Sequence, residues 1–186
     1  MGTSPKVGAT HFAILAANYL SGVKRQKTAL IEWGAQGDFA KIGRLCAGRS
    51  AMERLERRSG EPFRVLDVDY YKEAGGAQLL SCLSAGYGRI VLDFGAPGAG
   101  HVEFVQCGTQ FLIGSLSEWQ LDAFWAFNRQ HAHKKNRWKT LVAFGSEESR
   151  IEAERRLGVA VGRIPLSVDA FAIDYPLMHW FDQLFG

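Results

Sequence analysis

Short apolar runs that alternate with helical segments constrain the fold of this chain more than any other feature. Most of the runs are apolar on both faces, as in the strands of a parallel sheet covered on both sides. The predicted strands are 27–33, 63–70, 89–95, 109–116, 140–145 and 161–166. The predicted helices are 10–22, 38–58, 76–86, 117–133 and 147–157. This alternation predicts a doubly wound α/β fold with a mostly parallel sheet flanked by helices.

Length and composition indicate the size of the fold and argue against several classes of function. With 186 residues, 47% of them hydrophobic, the chain suits one substantial core, which predicts a single domain over 1–186. Lys and Arg exceed Asp and Glu by 22 to 19, a balance too mild to indicate nucleic acid or an anionic membrane. The three scattered cysteines lack metal or redox spacing. Without an apolar run of about 20 residues or a signal segment, we expect a cytoplasmic protein.

The N-terminal stretch GTSPKVGATHFAILAANYL has the rhythm of a phosphate-binding loop that runs into a buried helix. The helix is apolar nearly all round, which predicts that it packs against the sheet. A phosphate loop normally follows a buried strand, yet only Met1 precedes Gly2. We therefore expect further residues before Gly2 in the native protein. The alternative is a sheet that does without its central strand.

Four segments in a fixed order carry a resemblance to a known family. They are GTSPKVGATHFAILAANYL, KTALIEWGAQGD, RIVLDFGAPG and GRIPL. The chain resembles the MinD/ParA group of P-loop ATPases, including the CpaE and TadZ relatives that position pili. The resemblance implies a P-loop NTPase-like fold, a bacterial cytoplasmic protein, and a homodimer or a protein partner. In that group the loop reads K-G-G-x-G-K-[ST], the second strand ends in D-x-D-P-Q-G, and a later strand ends in aspartate.

The loop keeps the small residues of the group's pattern and loses its charges. Gly8 and Thr10 match the glycine and the hydroxyl of the pattern. Ala9 replaces the loop lysine, and Ser4 stands at the earlier signature lysine. The lysine gives a point charge to the β- and γ-phosphates, so its loss removes the main attraction for a triphosphate.

Two nearby residues are candidates to replace that lysine. Lys6 lies in the loop, and His11 follows Thr10 at the start of the helix. The favoured interpretation is a solvated lysine and a surface or packing histidine. The helix N-terminus still attracts an anion, because its first backbone N–H groups lack partners within the helix.

The ends of two strands supply the remaining candidate positions. Glu32 and Gly34 overlie the two aspartates of D-x-D-P-Q-G, and Asp93 keeps the aspartate of the later strand. Glycine cannot orient an attacking water, whereas Glu32 retains a carboxylate that would hold magnesium through water. By the resemblance, Thr10 and Asp93 form the Mg²⁺ shell if a nucleotide binds. The alternative for Asp93 is a cap on the following turn.

The losses at Ser4, Ala9 and Gly34 together indicate a degenerate ATPase without catalytic residues. The predicted function is a non-catalytic scaffold or a positioning and regulatory partner that requires no cofactor and binds ATP, Mg²⁺ or an anion weakly. The candidate binding residues are Lys6, Gly8, Ala9, Thr10, His11, Glu32 and Asp93. One alternative is an active ATP-dependent switch in which Lys6 or His11 replaces the lysine.

A basic segment, RQHAHKKNRWK at 129–139, raises a second alternative, a nucleic-acid-binding protein. We favour a solvated helix end for this segment, since cations suit the C-terminal end of a helix.

The C-terminal segment 175–186 predicts an amphipathic helix with one apolar stripe. The stripe, a candidate docking surface, consists of Leu177, Trp180, Phe181, Leu184 and Phe185. Asp182 and Gln183 stand where anionic lipid would require lysine or arginine. The sequence therefore favours packing against the domain or a partner protein over membrane docking.

Overall fold

The computed structural model describes residues 1–46, 60–96, 102–134 and 137–186. They form two compact units: Met1–Ala9 with Phe94–Ser167, and Thr10–Asp93 with Val168–Gly186. Strands alternate with helices in both units, and every described strand pair except one is parallel. The predicted α/β class and the mostly parallel pairing are confirmed. The single domain over 1–186 stays a prediction.

A four-stranded sheet organises the second unit. Its strands are β1 (Thr28–Trp33), β2 (Phe63–Val65), β3 (Val68–Ala74) and β4 (Arg89–Asp93), in the order β2-β3-β1-β4. Leu30 of β1 joins one buried apolar cluster, while its neighbours Ala29 and Ile31 join another. Because both faces of β1 are covered, the continuous apolar run in this strand is explained.

The predicted strand 63–70 is wrong as a single element. It is a hairpin in which β2 and β3 run antiparallel, with Phe63 opposite Tyr70. The chain reverses at Leu66, which adopts a left-handed backbone with φ of 52°. Leucine rarely takes this conformation. Turns of this kind usually contain glycine or asparagine, and because neither is present here, the sequence carries no such signal for a turn.

Helices cover the sheet of the second unit. They are α1 (Ala9–Asn18), which continues into a π-helical turn (Tyr19–Val23), α2 (Asp38–Cys46), α3 (Gly76–Ser84) and α7 (Tyr175–Phe185). Ala13, Ile14 and Ala17 of α1 pack in one cluster with Leu30 and Tyr70. The prediction of a buried first helix is confirmed. The predicted helix 38–58 is described only to Cys46, and residues 47–59 lie outside the described ranges.

The first unit contains a parallel sheet of three strands. They are β5 (Phe111–Gly114), β6 (Lys139–Val142) and β7 (Val161–Arg163), and the helices of this unit are α4 (Val102–Gln106), α5 (Leu121–Gln130) and α6 (Glu147–Leu157). The chain start lies parallel to β5: Ile113 donates its N–H to Met1 (2.8 Å), and Thr3 donates to Ile113 (2.8 Å). None of the described helices is both long and apolar enough to span a bilayer.

Candidate functional site

The predicted nucleotide-binding residues divide between the two units. Lys6, Gly8 and Ala9 belong to the first unit, which contains the loop itself. Thr10 and His11 in the first turn of α1 and the two strand-end carboxylates belong to the second unit. Each group of residues is therefore described by its contacts within its own unit.

The loop in the first unit is anchored by its first residues. Gly2 donates its N–H to the carbonyl of Gly95 (2.7 Å), while Thr3 and Ser4 are buried. The side chain of Val7 is 1% exposed. Backbone hydrogen bonds and one buried apolar side chain thus hold the loop in place within the first unit.

Ser4, at the position of the signature lysine, makes a contact that sequence reasoning missed. Its hydroxyl donates to Oε1 of Gln120 (2.6 Å), and Nε2 of Gln120 reaches the carbonyl of Pro5 (3.5 Å). Gln120 is the N-cap residue of α5. The two partners are 116 positions apart, so no local pattern could have revealed the pair.

Lys6 and His11, the two candidates to replace the loop lysine, differ in exposure. Lys6 is exposed and takes a left-handed φ of 64°, at a position where the group's pattern has glycine. Ala9 begins α1 and offers only a methyl group where the pattern has lysine. Thr10 and His11, in the second unit, are half-buried in the first turn of α1. The assignment of these residues to nucleotide binding stays a prediction.

Glu32 is completely buried at the end of β1, and backbone groups surround its carboxylate. Oε1 accepts the N–H groups of Asp38 (2.7 Å) and Phe39 (3.1 Å), which begin α2. Oε2 accepts the N–H of Glu73 (3.1 Å). Burial raises the pKa of Glu32, and the three N–H groups, led by that of Phe39, act in the opposite direction by stabilising the carboxylate.

Asp93 ends β4 directly beside Glu32 in the sheet register and is 2% exposed. Its backbone carbonyl accepts Nε2 of Gln36 (3.2 Å). Gly34, at the position of the water-orienting aspartate, donates its N–H to the carbonyl of Ala74 (2.9 Å). The structure thus places Glu32 and Gln36 of the D-x-D-P-Q-G match beside Asp93, at one edge of the sheet.

The carboxylate of Glu32 is engaged by backbone donors, and its predicted contact with magnesium through water stays a prediction. Oε1 accepts two N–H groups and Oε2 accepts one, so three of the roughly four lone-pair positions of this carboxylate are used by the backbone. Within the described ranges no group of three or more His, Cys, Asp or Glu side chains is arranged to hold a metal ion. Direct magnesium contacts are proposed only for Thr10 and Asp93.

The basic segment 129–139 places its aromatic groups inside the first unit. His131 stacks on Phe127 with ring centroids 4.2 Å apart, and its Nδ1 lies 2.9 Å from the Phe127 carbonyl oxygen. Trp138 packs 6.1 Å from both Phe127 and Phe104. Lys135 and Asn136 lie outside the described residues. The described aromatic groups therefore serve packing within the unit.

The C-terminal helix α7 is present as predicted and packs within the second unit. Leu177 is 2% exposed and Phe181 is fully buried, stacked on Tyr19 at 4.9 Å. Trp180, Leu184 and Phe185 are half-buried. Trp180 also packs on Phe12 at 6.3 Å and Phe185 on Tyr19 at 5.8 Å, so a docking role for these half-buried side chains stays a proposal.

Several solved structures are similar to this chain. A plasmid partition protein of Borrelia burgdorferi B31 bound to AMPPNP matches with a TM-score of 0.62 and 16% identity, over 100% of this chain and 94% of that chain. A chain of the MinC:MinD cell division protein complex of Aquifex aeolicus matches with a TM-score of 0.59 and 14% identity, over 90% and 81%. The MinD cell division protein of Aquifex aeolicus gives a TM-score of 0.53 and 14% identity, over 89% and 80%.

These similarities show the fold. The chain has the α/β, P-loop NTPase-like fold of the MinD and plasmid partition structures. No protein-family model matches the sequence, and no curated protein matches it at a significant level.

Proposed function

We propose that this protein is a non-catalytic scaffold or positioning partner built on a MinD/ParA-like P-loop fold. One observation carries the proposal: the three positions that would supply charge for hydrolysis hold Ser4, Ala9 and Gly34. The Ser4 hydroxyl bonds to Gln120, Ala9 offers a methyl group, and Gly34 has no side chain. Phosphoryl transfer depends on positioned charge, so this set of residues favours a role without hydrolysis.

Weak nucleotide or anion binding is part of the proposal. The structure of the Borrelia partition protein contains AMPPNP, which supports a nucleotide as the ligand class. Gly8, Thr10 and the helix N-terminus would supply backbone donors, and Lys6 or His11 would supply a weak replacement for the lysine. Thr10 and Asp93 would hold the accompanying Mg²⁺ ion.

Calorimetric titration with MgATP, paired with a phosphate-release assay, tests the absence of catalysis. We expect weak or undetectable heat and no release above the buffer rate. Ala9→Lys is the matched control, because it restores the loop charge on the same backbone and should raise affinity by about tenfold or more. Sub-micromolar binding with measurable hydrolysis by the unmodified chain would overturn the scaffold and establish the alternative, an ATP-dependent switch.

We infer that the scaffold acts in the cytoplasm through a protein partner or a second copy of itself. The MinC:MinD complex is one of the similar structures, and it supports an assembly-forming role. Trp180 and Phe185 are proposed contacts because they are only half-buried. Light scattering after size-exclusion chromatography over a range of protein concentrations would measure self-association, and a strictly monomeric chain would leave a heterologous partner.

A gel-shift assay at several salt concentrations addresses the nucleic-acid alternative for 129–139. Binding driven by phosphate contacts must weaken as salt rises. We expect no shift at physiological salt, and a salt-sensitive shift abolished by Arg129→Ala with Arg137→Ala would favour nucleic acid instead.

A further inference from the structure

The segment between β1 and α2, residues 34–37, and Glu32 shortly before it make hydrogen bonds to three neighbouring elements. We call residues 34–37 the β1–α2 segment. At its far end, Oε1 of Glu32 caps the first two N–H groups of α2, those of Asp38 and Phe39. Glu32 precedes the segment, so its side chain bridges the start of the segment to the helix that follows it. A carboxylate at a helix N-terminus also interacts favourably with the helix dipole.

The same glutamate connects the segment to β3. Its Oε2 accepts the N–H of Glu73, a residue with a left-handed φ of 47° at the end of that strand. The next contact runs in the opposite direction, from the Gly34 N–H to the carbonyl of Ala74. Two successive residues of β3 therefore bond to the β1 end and to the segment.

Gln36 completes the set of contacts on the β4 side. Its Nε2 donates to the carbonyl of Trp33 and to that of Asp93, at 3.2 Å each. The segment and Glu32 together therefore contact α2, β3 and β4, all through groups of this chain. In the group that the sequence resembles, this segment carries the residue that orients the attacking water.

We propose that Glu32 is a positioning residue that holds the β1–α2 segment in one conformation without a nucleotide or a metal ion. The inference rests on the proposed scaffold function and extends it to the regulation of that fold. A segment that follows the state of a bound nucleotide must be able to exchange its contacts when the ligand changes. Here the carboxylate of fully buried Glu32 is committed to three backbone N–H groups, and a buried carboxylate without such donors is unfavourable.

Amide hydrogen exchange tests the proposal on the full chain. In the unmodified protein we expect slow exchange at Asp38, Phe39 and Glu73, unchanged by saturating MgATP. Glu32→Gln should raise exchange at these amides about tenfold, because the amide nitrogen of glutamine cannot accept the hydrogen bond that Oε2 accepts. Asp38→Asn is the matched control: it removes one negative charge at the same helix start, and its carboxylate bonds only to exposed Lys41 among the contacts described. We expect less than a twofold change for this control.

A milder variant covers the case in which Glu32→Gln does not fold. Gln36→Ala removes only the contacts to Trp33 and Asp93, and it should raise exchange within residues 34–38 while far-ultraviolet circular dichroism stays unchanged. Equal exchange in Glu32→Gln, in Gln36→Ala and in the unmodified chain would overturn the proposal, as would a MgATP-dependent change in the protection of Asp38 and Phe39.

The two proposals fail in different experiments. Hydrolysis of ATP, with exchange in the segment that does not respond to MgATP but rises in the variants, would overturn the scaffold and leave the role of Glu32 intact. Absence of ATP binding together with unaltered exchange in both variants would overturn the role of Glu32 and leave the scaffold intact.

Discussion

The phenol of Tyr19 donates a hydrogen bond of 2.5 Å to Oδ1 of Asp182, and Nζ of Lys24 lies 2.6 Å from the same oxygen. The pair connects α7 to the π-helical turn that follows α1, across 163 positions of sequence. Asp182 stood out in the sequence only as a residue that disfavours anionic lipid. Its structural role is to fix the C-terminal helix.

This contact predicts a pH-dependent contribution to stability. Hydrogen bonds from Lys24 and then Tyr19 lower the pKa of Asp182 below its ordinary value of 3.8. A lowered pKa in the folded state means that the contribution is present above pH 3.8 and is lost as pH falls through the lower value. The difference in unfolding free energy between the unmodified chain and Asp182→Asn should shrink on acidification. Urea titrations at neutral and acidic pH measure it; a pH-independent difference, or one unaltered in a Lys24→Met background, would contradict the assignment.

Removal of the Phe181 ring should destabilise the second unit strongly. The ring is fully buried and stacks on Tyr19 at 4.9 Å, with Phe12 at 6.0 Å. Phe181→Ala should lower the free energy of unfolding by about 3–5 kcal/mol, as measured by urea denaturation. Tyr175→Ala is the control on the same helix, because that side chain is 75% exposed, and it should change stability by less than about 0.5 kcal/mol. Equal effects of the two substitutions would argue against a buried α7.

The hydrogen bond between Ser4 and Gln120 predicts energetic coupling between the loop and the start of α5. Ser4→Ala and Gln120→Ala should each destabilise the protein, and the double variant should fall short of their sum by about 0.5–1.5 kcal/mol. The comparison pair is Ser4 with Gln110, whose side chain bonds to the carbonyls of Val105 and Cys107 instead. The effects in that second cycle should be additive. Additive effects in both cycles would contradict the hydrogen bond between Ser4 and Gln120.

Two glycines with positive φ separate backbone strain from steric crowding. At Gly34 (φ 79°) an added Cβ would meet no described atom within 4 Å beyond its chain neighbours, whereas at Gly145 (φ 116°) it would lie 2.5 Å from Cβ of Leu116. Gly34→Ala should cost about 1–2 kcal/mol through its backbone conformation alone. Gly145→Ala should cost about 1–3 kcal/mol more because of the overlap. Thermal unfolding of both variants measures the difference, and equal midpoints would contradict the crowding at Leu116.

Local periodicity predicted the elements that depend on a buried face. The continuous apolar run of β1 and the i, i+3, i+4 stripe of α7 both reflect burial, and both elements are found where the pattern placed them. Pro176 opens α7 as predicted, and Asp174 caps it by accepting the N–H of Leu177 (2.9 Å). These features are local, so the sequence carries enough information to place them.

Features that depend on distant partners could not be predicted. The break at Leu66 required a left-handed leucine, and the role of Glu32 required N–H groups from α2 and β3. Motif position indicated a carboxylate at Glu32, but not whether that carboxylate faces a metal ion or backbone donors. The choice is made by the packing of three elements around the end of β1.

The hairpin that replaces the predicted strand 63–70 has a consequence for behaviour in concentrated solution. Among the described residues β2 is an end strand of its sheet, only three residues long, and exposed Arg64 lies 3.4 Å from Asp69 on β3. A second molecule would find few backbone groups and a charged side chain on this border. The hairpin therefore disfavours sheet growth from one molecule to the next, and with it the fibrous aggregation that such growth begins.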